Sequence, residues 1–207
     1  MNEFDVKAAE WDKNPMHWDR SEAIANEIKK LIPLNKNMKA LEYGAGTGIT
    51  SFLLKDHLKE IILMDNSTEM VRIMNEKIEA SKVKNMTALN FDLEHNDYKN
   101  SKFDIIFTQM VLHHVMNIDA ILKRFETLLN PGGYLAIADL FSEDGSFHGE
   151  GFEGHNGFDV EDLSKKLNKY NFKKINHKEC FLINRKISDN VTRNYPVFIM
   201  TGLKPAN

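Results

Sequence analysis

The chain of 207 residues has a single cysteine, five prolines and no long apolar run. Cys180 cannot close an internal disulfide, so a buried core must hold the fold, and a reducing, cytoplasmic setting is expected. The longest apolar stretches, such as Ile61-Ile62-Leu63-Met64, fall far short of the roughly 20 residues a bilayer span needs. No membrane association is expected. The opening Met1-Asn2-Glu3-Phe4-Asp5 turns polar at once, without the basic start and apolar stretch of a secretory signal, which argues against export. Neither sign of charge dominates. With 27 Lys and Arg against 30 Asp and Glu, a net charge of −3 offers no cationic field for nucleic acid. At 42% hydrophobic and 28% charged residues, the composition is that of an ordinary globular chain of one main domain.

What is present is alternation. Short apolar runs at Lys39 to Tyr43, Glu60 to Asp65, Met86 to Phe91, Phe103 to Thr108 and Tyr134 to Asp139 read as strands separated by amphipathic segments, the order of a mostly parallel sheet crossed by helices. Ile118, Ile121, Leu122, Phe125, Leu128 and Leu129 share one helical face, and Asn130-Pro131-Gly132-Gly133 stops that helix. Met70, Val71, Met74 and Ile78 form a second core stripe, with Asn66 as its expected cap and Glu69 three residues later. Phe141 to Phe158 reads as a long, glycine-rich loop at the mouth of the sheet, followed by a helix over Val160 to Lys169 capped by Asp159. Segments at Lys173 to Asn184 and Tyr195 to Leu203, joined by a polar connection, are expected to close the sheet as an antiparallel pair. The first 35 residues, with Phe4, Trp11, Trp18 and an Ile24, Ile28, Leu31, Ile32 stripe, read as a helical cap.

The most informative stretch is Leu41-Glu42-Tyr43-Gly44-Ala45-Gly46-Thr47-Gly48-Ile49. A strand running into three alternating glycines and then a helix brings backbone close to a bound nucleotide or nucleoside. Asp65 ends the next strand, where an acid accepts hydrogen bonds from ribose hydroxyls. Dinucleotide sites want a small third residue at the position held here by Ile49, which argues against a nicotinamide ligand.

The shorter Gly-x-Gly-x-Gly resembles the cofactor loop of class I S-adenosylmethionine-dependent methyltransferases of the small-molecule type. The likeness extends to Asn90-Phe91-Asp92-Leu93, to Phe103 through Val115 with its Leu-His-His segment, and to Leu128 through Leu135. The resemblance implies an α/β fold: a seven-stranded mostly parallel sheet with helices on both faces and the last strands antiparallel, plus the N-terminal helical cap. Residues 1–35 would be the cap and 36–207 the S-adenosylmethionine-binding domain. It also implies that Gly44, Ala45 and Gly46 approach the cofactor's methionine part, that Asp65 binds ribose, and that Asp92 reads adenine. Asn66, Met70 and Leu93 would flank these groups. Thr108 and Gln109 would lie near the acceptor opening, Trp11 would fold over the cofactor, and Glu42 would brace the loop.

The implied function is transfer of a methyl group from S-adenosylmethionine to a small-molecule N, O, S or C acceptor by in-line displacement, with no nucleic-acid partner. The alternatives are an NAD(P)-dependent oxidoreductase and a non-catalytic module that only binds the cofactor. His113, His114, His148 and His155 are the candidate proton-transfer groups, the first two reading more simply as structural. His148, Glu150, Glu153 and His155 lack tight ligand spacing, and no metal is expected. The lysines at 82, 84, 165 and 166 read as solvated surface, and Cys180 as a buried thiol rather than a nucleophile.

Overall fold

The computed structural model describes residues 3–188 and 191–206. Two helices, α1 (Glu3–Trp11) and α2 (Pro15–Leu31), precede a sheet of seven strands. The strands are β1 (Lys39–Tyr43), β2 (Glu60–Asp65), β3 (Met86–Asn90), β4 (Phe103–Gln109), β5 (Leu129–Leu140), β6 (Lys173–Ser188) and β7 (Val191–Leu203). They lie in the order β3-β2-β1-β4-β5-β7-β6. Neighbours from β3 to β5 are parallel, and β7 runs antiparallel to both β5 and β6. Helices α3 (Ile49–Leu54), α4 (Thr68–Ser81), α5 (Ile118–Leu128) and α6 (Val160–Lys169) complete the α/β arrangement.

Successive side chains of a strand point to opposite faces, and the two cores follow from that alternation. Ala40, Ile61, Leu63, Ile105 and Phe107 pack with Ile24 and Ile28 of α2, Leu54 of α3 and Met74 of α4. Leu41, Met64, Ile106, Leu135 and Ile137 pack instead with Ile121 and Phe125 of α5 and Leu163 and Leu167 of α6. Helices therefore cover both faces. Among the described residues, no helix is long and apolar enough to cross a membrane.

Strands β1 and β2 and helix α6 have the expected bounds, and the Asp159 carboxylate caps α6 by accepting from the Glu161 and Asp162 amides. Three expectations are corrected. Helix α4 is capped by Ser67 rather than Asn66, because Asp65 accepts the Ser67 amide at 2.9 Å and turns the chain so that Ser67 Oγ receives the Met70 amide at 3.2 Å. Leu31, the last residue of α2, stays 40% exposed, whereas Ile32 folds back extended into the core. The polar connection after Asn184 is strand over residues 185–188 and 191–194. Pairs such as Asn184 with Asn194 and Lys186 with Thr192 continue the β6–β7 ladder, since backbone bonding there needs no apolar side chain.

Candidate active site

Each parallel strand delivers its following loop to one edge of the sheet, and there the chain encloses a cavity of about 590 Å³. That size is typical of small-molecule sites. Gly44, Ala45 and Gly46 form part of its wall. The loop is fixed by its own backbone: the Gly44 and Ala45 amides donate to the Met64 carbonyl at 2.8 and 3.0 Å, and the Gly46 amide donates to Asp65 Oδ2 at 2.7 Å. Gly48, in the left-handed region at φ +81°, lies so close to β2 that a Cβ there would come within 2.7 Å of Leu63 Cδ2. Close helix-to-strand packing is thus served by Gly48, and Ile49 is buried at the start of α3.

Asp65 shares the cavity wall with Asn66 and Met70. Burial raises its pKa, while the amides of Ser67, Gly46 and Asn66 hold the charged form against that cost. Two oxygens offer about four acceptor positions, so lone pairs remain for ligand hydroxyls. Asp92 and Leu93 also line the cavity. Asp92 Oδ1 accepts the Glu94 and His95 amides at 2.9 and 3.2 Å, and Oδ2 lies 2.7 Å from His95 Nδ1. Gln109 reaches the wall from the end of β4, anchored by donation from Nε2 to Ser21 Oγ at 2.8 Å. Trp11 reaches it from α1, its indole stacked 4.1 Å from the His17 ring.

Of the histidines, His113, His114 and His148 line the same cavity. His155 is turned away, its Nε2 3.0 Å from the Val115 carbonyl. Thr108 is buried outside the cavity wall, on the strand face opposite Gln109. Glu42 is also outside it, and its Oε2 accepts both the amide and the hydroxyl of Ser51 in α3. Its contact is with helix α3, beyond the glycine loop. Cys180 lies outside the site, its thiol pushed up to about 12 chiefly by burial.

Burial pushes the Glu42 carboxyl up to about 8 from an ordinary 4.5. An acid that holds its proton more tightly when folded gives stability that is greatest below 4.5 and declines as pH rises toward 8, by at most about 1.4 kcal/mol per pH unit. Glu42→Gln is expected to erase that slope. Urea unfolding between about pH 5 and 8 should show the variant gaining steadily on the parent; parallel curves would mean that Glu42 does not titrate in this window.

Several wall residues escaped the sequence reading. Arg20 is 5% exposed, and among the described residues its Nε has no hydrogen-bond partner. Burial lowers its pKa to about 10 against the opposing field of Asp139. A signal did exist, because Met16, Arg20, Ile24 and Ile28 follow at intervals of four, placing a guanidinium on the buried stripe of α2. Asn184, Arg185 and Lys186 reach the cavity from the polar end of β6, which only the hairpin pairing reveals. Met110 adopts φ +54° beside the cavity, a strained backbone typical of functional loops that no sequence pattern marks.

The architecture is that of class I S-adenosylmethionine-dependent methyltransferases. Such an enzyme from Aquifex aeolicus superposes with a TM-score of 0.68 at 18% identity, over 97% of this chain and 98% of that one. A chain of the complex between the Haloferax volcanii Trm112 methyltransferase activator and a methyltransferase gives 0.79 at 15% identity over 99% of each. Haemonchus contortus phosphoethanolamine N-methyltransferase 2, in complex with phosphomonomethylethanolamine and S-adenosylhomocysteine, gives 0.71 at 18% identity over 91% of this chain and 53% of that one. At these identities the likeness is one of fold.

In sequence, residues 34–193 match the methyltransferase domain family, and the chain belongs to it. An uncharacterized methyltransferase of Schizosaccharomyces pombe is 29% identical over 119 residues, 54% of this chain and 42% of its own length. The YafE protein of Escherichia coli is 26% identical over 99 residues, 48% of each. The chain thus spans about half the length of the curated relatives it matches.

Proposed function

We propose that the protein transfers a methyl group from S-adenosylmethionine to a small-molecule acceptor by in-line displacement. The observation that carries this reading is one cavity bounded both by the Asp65-anchored glycine loop and by His113, His114, His148 and Arg20. Gly44, Ala45 and Gly46 would pass the methionine part, Asp65 the ribose hydroxyls and Asp92 the adenine amino group. Asn66, Met70, Leu93, Trp11 and Gln109 would fill in around them.

Arg20 carries a buried charge, and a carboxylate of cofactor or acceptor would offset its desolvation. The protein's contribution to rate is then alignment of acceptor and methyl carbon at roughly 3–3.5 Å with water excluded. No covalent enzyme intermediate is required. A concave site on a chain of net charge −3 favours a metabolite over a nucleic acid, and the half-buried lone thiol suits a cytoplasmic setting.

Calorimetric titration with S-adenosylhomocysteine tests the reading, with NADH as the comparison ligand. One equivalent of S-adenosylhomocysteine is expected to bind and NADH is not; no binding at millimolar ligand to folded protein would end the proposal. Asp65→Ala should weaken binding by roughly 1.5–3 kcal/mol, the range for a hydrogen bond to a charged group. Unchanged affinity would remove the ribose assignment.

A further inference from the structure

We propose that His113, His114 and His148 form a binding site for one divalent transition-metal ion of the zinc class, open to the cavity. One ring nitrogen from each lies within 4.8 Å of the other two. The ring centroids of His113 lie 4.3 Å from those of His114 and 5.0 Å from those of His148, and the last two are 5.1 Å apart.

The decisive observation is how His113 is held. Its ring is buried and its Nδ1 lies 2.6 Å from Asp139 Oδ1. A carboxylate accepts, so Nδ1 carries the proton and Nε2 keeps the lone pair a metal needs. Asp139 is itself fixed, because Oδ1 accepts the Leu140 amide at 2.8 Å and Oδ2 the His113 amide at 3.3 Å. A carboxylate that sets tautomer and ring orientation is the usual support of a metal-bound histidine.

Bonds of about 2.0–2.1 Å in tetrahedral geometry set zinc-bound nitrogens roughly 3.4 Å apart. His148 can supply that small contraction, because its loop has Gly145, Gly149 and Gly151 in the left-handed region, at φ +86°, +87° and +84°.

Three histidine ligands leave a fourth position for an exchangeable group, as in catalytic rather than structural zinc sites. There the ion would take the thiol or hydroxyl of an acceptor, whose proton passes to solvent. The bound sulfur or oxygen then uses a lone pair to form the new bond to the methyl carbon as the carbon–sulfonium bond breaks, releasing S-adenosylhomocysteine. That role rests on the methyl-transfer reading; the binding of the ion does not.

The test is calorimetric titration of chelator-treated full-length protein with zinc chloride, and with cobalt(II) to read coordination from its visible absorption. One ion per chain is expected, with intense cobalt bands of four-coordinate geometry. His114→Ala and His148→Ala, each checked by thermal unfolding, should weaken zinc binding at least 100-fold, Asp139→Asn by about 10–100-fold, and His57→Ala not at all. Absence of zinc binding at micromolar metal, or binding that survives both His114→Ala and His148→Ala, overturns the proposal. Titration of the same samples with S-adenosylhomocysteine reports separately on the methyl-transfer reading, so either can fail alone.

Discussion

Gly46→Val is expected to abolish S-adenosylhomocysteine binding, a loss of more than 100-fold, while the chain still folds. Two features of position 46 combine. Its φ is +58°, and a side chain there is strained by roughly 1–2 kcal/mol, more when β-branched. Its missing Cβ would face the cavity, with Trp11 Nε1 at 3.9 Å as the nearest atom, so the added carbons fill ligand space rather than core. Gly44 is the contrast. A Cβ at 44 would overlap Val111 Cγ2, so Gly44→Val should lower the melting temperature sharply as well. Thermal unfolding and calorimetry on both variants separate the effects, and normal binding by Gly46→Val would remove the glycine loop from the cofactor site.

Deleting residues 1–13 is expected to reduce methyl transfer at least 100-fold while costing only a few degrees of melting temperature. The cut leaves Asn14, whose side chain caps α2, in place. Of the described α1 side chains only Ala8 is fully buried, so little core is lost. What is lost is a wall: Phe4, Lys7 and Trp11 face the cavity. The helix is held over it by polar ties, with Asp5 accepting from Ser67 Oγ at 2.6 Å and Asp12 bonded to Thr47 Oγ1 and 2.7 Å from Lys77 Nζ. Polar ties of this kind give little net stability each, because water replaces them when the helix lifts, which suits a segment that opens and closes. Hydrogen exchange should slow in Phe4 to Trp18 and in Phe141 to Phe158 when cofactor and acceptor are added. Transfer of labelled methyl groups into a cell extract by the truncated protein at the parent rate would show that α1 is no lid.

The parts of this fold legible in the sequence are those fixed by neighbours in the chain. Lys39 to Tyr43 and Glu60 to Asp65 are apolar runs between breakers, and Asp159 stands where only a cap makes sense of it. The Asn66 and Ser67 choice was invisible because both residue types cap helices well, and the decision falls to the Asp65 hydrogen bond. The end of β6 was hidden because its residues are polar and exposed, so pairing with β7 alone makes them a strand. The same division runs through the site. The glycine loop and Asp65 sit close together in sequence, whereas the place of Lys186 and the meeting of His148 with His113 exist only after the sheet has gathered distant segments.

The strand order has a consequence for synthesis. Because β7 lies between β5 and β6, the earlier-made β6 has no place on the sheet until residues 191–203 have left the ribosome. Through that interval β5, with its buried run Leu135 to Leu140, presents an unpaired edge of the kind that recruits other chains. A ribosome stalled after β6 should therefore yield an aggregation-prone nascent chain, although the whole cavity wall has already been made. In the finished protein the outermost strand on that side of the sheet is β6, whose exposed Lys173, Lys174, Lys178 and Lys186 make it a poor template for further pairing.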